Sequence, residues 1–274
     1  MPILLKLKQT PAPPAAPIDA SCLCPDRLAG RERPEAERLP IFVGRSHVPL
    51  ADLFQVSGDA GETIEVEGDL SSFARVGASM TRGSLVAHGA VGPRAAAGMR
   101  GGVFLIEGAA GDYAGEGMTG GLLRIRGDAG DHLAAPVPGS PRGMNRGAIL
   151  VGGNAGRMAA MRMRRGLLAV AGDLGEGAAC GMLAGSLFVF GKVARGAGGL
   201  MKRGTILAFG GMDPLPTFSP AGTFRLAFLE IFFDGLEAAG FPVPARARHA
   251  PYQRHVGDAS GGGVGEILVP GGTP

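Results

Sequence analysis

The residues of this sequence best suited to chemistry are cations set at a fixed spacing. Arg82, Arg146, Arg165 and Arg203 each stand two residues after a recurring methionine, and Arg164 and Lys202 flank that column. If equivalent positions stack as neighbouring strands do, Arg146 and Arg165 lie about 5 Å apart. Like charges side by side are unfavourable without a counter-charge. The column therefore reads either as a track for a polyanion, such as a polycarboxylate chain or an acidic partner surface, or as a solvated face. Other chemistry is thinly provided for. His47, His88, His132, His249 and His255 are scattered, and Cys22 and Cys24 form a lone Cys-x-Cys with no second pair to complete a metal site, so they read as ordinary thiols. There is no His-Glu-x-x-His, paired Cys-x-x-Cys, Gly-x-Ser-x-Gly or P-loop. No catalytic residue and no metal ligand is expected.

What positions the cations is a repeat running from about Thr63 to Gly211. Its marker glycines are Gly68, Gly89, Gly108, Gly127, Gly153, Gly172, Gly191 and Gly210, separated by 21, 19, 19, 26, 19, 19 and 19 residues. Met80, Met99, Met118, Met144, Met163, Met182 and Met201 precede the last seven markers by nine residues, each opening a Met-x-x-Gly. The fourth and second residues before every marker are apolar, from Ile64 and Val66 to Ile206 and Ala208. That alternation is a strand with one face always buried. One short strand per 19 residues, with glycine bends recurring at Gly92, Gly111, Gly130, Gly156 and Gly175, predicts a mainly β fold: a single-stranded, right-handed parallel β-helix of about eight short coils. The methionines then form an internal ladder. At these bends the chain needs either positive φ or close backbone approach. The 26-residue step holds an insertion, His132 to Pro141, expected to bulge out as a loop.

Outward-facing strand positions change character along the repeat. Glu65 and Glu67 open it, Arg124 and Arg126 follow, and Phe188, Phe190, Leu207 and Phe209 close it. An apolar late face predicts a cover. Ser219-Pro220 and the Gly240 to Pro242 stop bracket a predicted helix carrying Phe224, Phe228, Phe232 and Phe233, with Glu230, Asp234 and Glu237 as a narrow polar stripe. Phe188, Phe190, Phe209, Phe224, Phe228 and Phe232 are the expected interface residues, with the helix packed on the late coils and touching another subunit.

Four segments follow: an N-terminal lead-in (1–60), the β-helix (61–213), a capping helix (214–243) and an extended tail (244–274). The lead-in holds predicted strands at residues 3–8, 41–44 and 53–58 and an extended Pro/Ala segment, Pro11 to Pro17. The tail reads as lying along a partner or the β-helix. A net charge of +3 gives no case for nucleic acid. Three cysteines make no disulfide framework, and no run of roughly 18 apolar residues offers a membrane span. A cytoplasmic protein is expected.

The Gly-Ala-x-Met-x-x-Gly repeat followed by apolar-x-apolar-x-Gly-x-x-Gly resembles the C subunit of formylmethanofuran dehydrogenase and that of the related formyltransferase/hydrolase complex of methylotrophic bacteria. Asp52-Leu-Phe54, Gly58-Asp59, Gly177 to Gly185, Pro216-Thr-Phe218, Gly257-Asp258 and Gly265-Glu-Ile-Leu268 carry the likeness beyond the repeat. The repeat alone also resembles the C-terminal β-helix of the glutamate synthase large subunit, leaving a detached spacer domain in nitrogen metabolism as the alternative. The first resemblance implies a non-catalytic scaffold subunit whose partners are amidohydrolase-like, formyltransferase and oxidoreductase-like chains. These move a formyl group between tetrahydromethanopterin and a furan cofactor and release formate. That cofactor can carry a long acidic tail, which the cations at Arg146, Arg164, Arg165, Lys202 and Arg203 would suit. Arg162, Leu200 and Ala194 depart from glycines of the pattern, which puts local turn geometry in question.

Overall fold

The computed structural model describes residues 2–8, 17–58 and 61–271. Asp59 and most of the Pro/Ala segment, Pro11 to Ala16, lie outside them. The chain is mainly β. In order, the strands are β1 (Ile3–Leu7), β2 (Ile18–Asp19), β3 (Pro40–Val43), β4 (Ser46–Pro49), β5 (Phe54–Gly58), β6 (Thr63–Glu67), β7 (Phe73–Ala74), β8 (Ser84–Ala87) and β9 (Val103–Ile106). Next come β10 (Leu122–Ile125), β11 (Ala148–Val151), β12 (Leu167–Val170), β13 (Ser186–Val189), β14 (Thr205–Ala208), β15 (Ser219–Phe224), β16 (Tyr252–Gly257) and β17 (Gly265–Pro270). Helices α1 (Pro25–Leu28), α2 (Arg33–Glu37) and α3 (Leu50–Leu53) lie in the lead-in, and α4 (Phe228–Ala238) and α5 (Ala245–His249) follow the repeat.

The eight repeat strands pair in parallel and in register. Ile64, Leu85, Phe104, Leu123, Ile149, Leu168, Leu187 and Ile206 form one cross-strand row, fully buried. Period-two side chains fix this register, because a one-residue slip would turn the whole apolar row outward. Leu70, Val91, Ala110, Ala129, Ala155, Leu174 and Val193 form a second row of parallel bridges. A third is made by the N–H groups of Ala96, Gly115, Ala134, Ala160, Ala179 and Gly198, which donate to carbonyls of the preceding repeat. Each repeat is thus bonded to its neighbours on three sides, and Gly143 and Met144 resume the pattern after the insertion.

The seven methionines are completely buried, which explains the Met-x-x-Gly spacing. The methyl group of Met80 lies where a side chain on Gly102 would begin, 2.6 Å from its Cβ position, and Met99 stands 2.7 Å from that of Gly121. These glycines also have positive φ, at 78° and 83°. A flexible thioether fills each layer and requires a glycine in the next. The bends three residues after the marker use close approach alone: Gly111 is not left-handed, but a Cβ on it would come 2.8 Å from the Pro93 nitrogen. Arg162 and Leu200, where the pattern has glycine, keep the turn by adopting φ of 50° and 61°. The substitution costs strain rather than shape.

The flanks extend the same sheet. β1 pairs in parallel with β6 and antiparallel with β5, while β2, β3, β4 and β7 form a separate four-stranded sheet. At the far end β17 pairs in parallel with β14, and β16 and β15 follow antiparallel, so the tail does lie along the repeat. The capping helix is shorter than the sequence predicts. Residues 219–224 are strand β15, drawn into the sheet by β16 with Ser219 opposite Val256 and Phe224 opposite Tyr252, and the helix begins only at Phe228. Ser219-Pro220 caps nothing. Within this chain α4 buries one face, Leu229, Phe233 and Leu236, rather than several, and Ile231 is 76% exposed.

Candidate interaction surfaces

The outer side of the large sheet is divided. On its late half Leu150, Ala169, Phe188, Phe190, Leu207 and Phe209 are buried under α4 and the segment after it. Phe188 packs edge-on against Phe232 and Phe233, with ring centroids 5.1 and 6.3 Å apart, and Phe190 meets Phe233 and Phe241 at 6.3 and 5.7 Å. The cover over Phe188, Phe190 and Phe209 is therefore the chain's own helix. Phe224 and Phe228 remain exposed, and Phe232 is partly buried. Two arginines hold the cover down. Arg124 donates to the carbonyls of Ala239 and Gly240 at 3.0 and 2.6 Å, satisfying the C-terminal end of α4 where a cation is favoured by the helix dipole. Arg248, on α5, is clasped by Glu230, Asp234 and Glu237, the last two at 2.8 Å. The polar stripe of α4 thus faces an intramolecular cation. Sequence reasoning gave Arg124 to solvent, and its only signal was its place at the boundary between charged and apolar outer rows.

On the early half the outer row stays polar. His88 Nδ1 lies 3.0 Å from Glu107 and Nε2 3.3 Å from Glu65, across three adjacent strands, and Arg126 reaches Glu107 at 3.3 Å. The Glu107 carboxylate, and then that of Glu65, hold the His88 imidazole above the usual histidine value despite partial burial. His88 in turn holds Glu107 below the usual carboxylate value.

The predicted cation column is present. Arg146, Arg165 and Arg203 are exposed and Arg164 is half-buried. The register sets Arg146 next to Arg165, with Ala184 between Arg165 and Arg203. Among the described residues none of these four arginines has a side-chain ion pair or hydrogen bond, whereas Lys202 donates to the Gly261 carbonyl. A row of exposed guanidinium groups without counter-charge is what a polyanion or acidic surface would meet.

A missed residue anchors the tail beside that row. Asp258 is buried and accepts from the Leu200 and Ser260 N–H groups, each at 2.8 Å, and from Ser260 Oγ at 2.6 Å. Those bonds, the Ser260 hydroxyl first, outweigh desolvation and bring its carboxyl down to about 2. Cys22 and Cys24 are buried free thiols, and burial pushes Cys22 up to about 12. A thiol so raised is a poor nucleophile at neutral pH. Among the described residues no group of three or more His, Cys, Asp or Glu side chains is placed to hold a metal ion, and no helix is long and apolar enough to cross a membrane.

A sheet of in-register 19-residue repeats, its late outer face covered by its own helix and its last strand continued by its own tail, defines a repeat-built chain. No family model matches it. The C subunit of tungsten-containing formylmethanofuran dehydrogenase 2 from Methanothermobacter wolfeii is 37% identical over 83 residues, 28% of this chain and 31% of that protein. The C subunit of the formyltransferase/hydrolase complex Fhc from Methylorubrum extorquens is 36% identical over 77 residues, 28% of this chain and 29% of that protein. These aligned segments span less than a third of the curated relatives. Structural likeness extends much further: one chain of the crystal structure of the formyltransferase/hydrolase complex (FhcABCD) from Methylorubrum extorquens in complex with methylofuran superposes with a TM-score of 0.90 and 34% identity, over 98% of this chain and 100% of that one. The chain belongs to the family of C subunits of formylmethanofuran dehydrogenases and formyltransferase/hydrolase complexes.

Proposed function

We propose that the chain is the non-catalytic scaffold subunit of a formyltransferase/hydrolase complex of one-carbon metabolism, acting in the cytoplasm. In that reading amidohydrolase-like, formyltransferase and oxidoreductase-like subunits carry the chemistry, moving a formyl group between tetrahydromethanopterin and a methanofuran- or methylofuran-type cofactor and releasing formate. The observation that carries it is the whole-length likeness to one chain of such a complex. A glutamate-synthase-type spacer is not favoured by it. The test is co-purification from the native source: amidohydrolase-like and formyltransferase chains are expected with this one, and a glutaminase or flavin-domain partner would overturn the reading. The isolated chain is expected to show neither formyl transfer nor formate release, and either activity from it alone would contradict a scaffold role.

The three-sided bonding supports a single-stranded, right-handed parallel β-helix at 61–213, with the lead-in at 1–60, the capping segment at 214–243 and the tail at 244–274. Arg146, Arg164, Arg165, Lys202 and Arg203 form a contact for the polyacidic tail of the complex's furan cofactor or for an acidic partner surface. Arg146, Arg165 and Arg203, exposed and without counter-charges among the described residues, support this reading. Changing Arg146, Arg165 and Arg203 to Ser should weaken retention of an acidic cofactor by the assembled complex, more so at low salt, and unchanged retention would sink the idea. Phe224 and Phe228, both exposed, are the aromatic residues left for a partner, together with the part of Phe232 that Phe188 does not cover.

A further inference from the structure

One column of the repeat is built as a stack of side chains that stops short. Arg75, Arg94, Tyr113, His132, Met158, Gly177 and Gly196 occupy equivalent turn positions, all with left-handed backbone, φ running from 57° to 81°. From Arg75 to Gly177 each donates its N–H to the next repeat, at Pro93, Asp112, Asp131, Arg157, Glu176 and Arg195 in turn, so the side chains leave the backbone in the same direction. They stack accordingly. The Arg94 guanidinium lies 5.6 Å from the Tyr113 ring centre, and the Tyr113 and His132 rings are parallel to within 5° at 4.7 Å, which is the spacing of the repeats. Met158 follows. At Gly177 and Gly196 the stack has no side chains, and there the surface opens into a cavity of about 700 Å³ whose lining includes His132, Met158 and Leu215.

The two glycines differ in what they leave. Gly177 is covered by the Met158 sulfur, which stands 2.6 Å from where a Cβ would be. Over Gly196 the nearest atom to that position is 3.7 Å away, the backbone nitrogen of Gly177. The cavity thus runs along the column from His132 to Gly196, and within it Gly196 is the stack position that neither a side chain of its own nor that of Met158 fills. Around it the charges cancel in pairs: Arg157 meets Asp131 at 3.1 Å and Arg195 meets Glu176 at 2.8 Å. No net charge is left to be met, so the group that complements the open position is neutral, and the 4.7 Å between the Tyr113 and His132 rings is the room one flat ring takes in this column. Thioether and aromatic faces attract such a ring.

We infer that this slot receives an aromatic side chain, Phe, Tyr or Trp, from another subunit of the complex, completing the stack over Gly196. The inference rests on the reading of the chain as a complex subunit. The substitution that tests it is supplied by the column itself, because Tyr113 holds a ring at φ 60° in the equivalent position. Gly196→Tyr should fold, as judged by cooperative melting, and fill the slot from within; Gly196→Ala adds only a methyl group. In complexes assembled by co-expression, the wild-type chain and Gly196→Ala are expected to bind the remaining subunits equally, and Gly196→Tyr about tenfold or more weakly, the loss of one buried aromatic anchor. Gly196→Tyr binding at wild-type affinity would overturn the inference. Should Gly196→Tyr fail to melt cooperatively, Met158→Ser, which removes the wall without adding strain, decides the same question: weakened assembly supports the slot and unchanged assembly refutes it. A photo-reactive benzoylphenylalanine replacing Arg195, on the rim, is expected to cross-link to a partner segment containing Phe, Tyr or Trp, and cross-links confined to this chain would refute it. If even the wild-type chain binds none of the other subunits, the scaffold function itself fails. If it binds them and Gly196→Tyr does equally, only the slot fails.

Discussion

The early and late halves of the sheet's outer face share strand length, spacing and register, yet one is left to water and the other is sealed. Glu65, His88, Glu107 and Arg126 form a solvated charge network, while Phe188, Phe190 and Phe209, at equivalent or neighbouring positions, lie buried under α4. The backbone cannot tell these halves apart, so the outer side chains alone decide which is covered. A large aromatic side chain gains about 1.5–3 kcal/mol when buried, whereas an exposed charge pair contributes at most about 1 kcal/mol. The late half is therefore a structural surface. The early half is a solvated one.

That contrast can be broken most severely at Phe188. Phe188→Ala removes the ring on which Phe232 and Phe233 rest and should cost about 3–5 kcal/mol in urea unfolding. A loss below about 1 kcal/mol would mean that α4 is not held by the sheet. Next in size comes Arg124, which belongs to the boundary between the halves. Arg124→Met keeps the stem but loses two charged hydrogen bonds to the end of α4, an expected loss of about 1.5–3 kcal/mol. Hydrogen exchange should accelerate near residues 238–241, and uniform exchange across α4 would argue against a capping role.

The smallest effect sharpens the early half. His88 has a raised pKa in the fold, so its contribution is complete below the unfolded value of about 6.5 and is lost as pH rises through the higher folded value. Stability measured from pH 6 to pH 9 should decline slightly in the wild type, and His88→Gln should remove that part of the slope. An identical pH profile in the variant would show that the two carboxylates do not grip the ring. Asp258 behaves in the opposite sense. Its lowered pKa means that the tail anchor is intact above about pH 4, the unfolded carboxylate value, and weakens as pH falls toward about 2.

The strict columns made the repeat legible in sequence. Period-two apolar residues, the Met-x-x-Gly unit and the marker glycines each answer to one local constraint repeated seven or eight times, and they stand in register in the fold. Strand β15 was hidden because its partner, β16, lies some thirty residues later and its own composition, Ser-Pro-Ala-Gly-Thr-Phe, has no alternation. Arg124 and Asp258 were hidden for the same reason: each acts through a partner remote in sequence, at Gly240 and Leu200. Arg146 and Arg165 were legible as neighbours because stacking carries equal positions together. The Tyr113, His132 and Met158 stack was not, since its members share a backbone angle rather than a residue type.

The proposed division, a late face sealed by the chain itself and other columns that meet the complex, should show in hydrogen exchange measured on the free chain and on the assembled complex. The expected result is protection of α4, residues 228–238, already in the free chain, with further slowing there on assembly confined to the neighbourhood of Phe228, and new protection around Arg146, Arg165 and Gly196. Rapid exchange of α4 in the free chain, slowed only in the complex, would contradict it and make a partner, not this chain, the cover of the phenylalanine face.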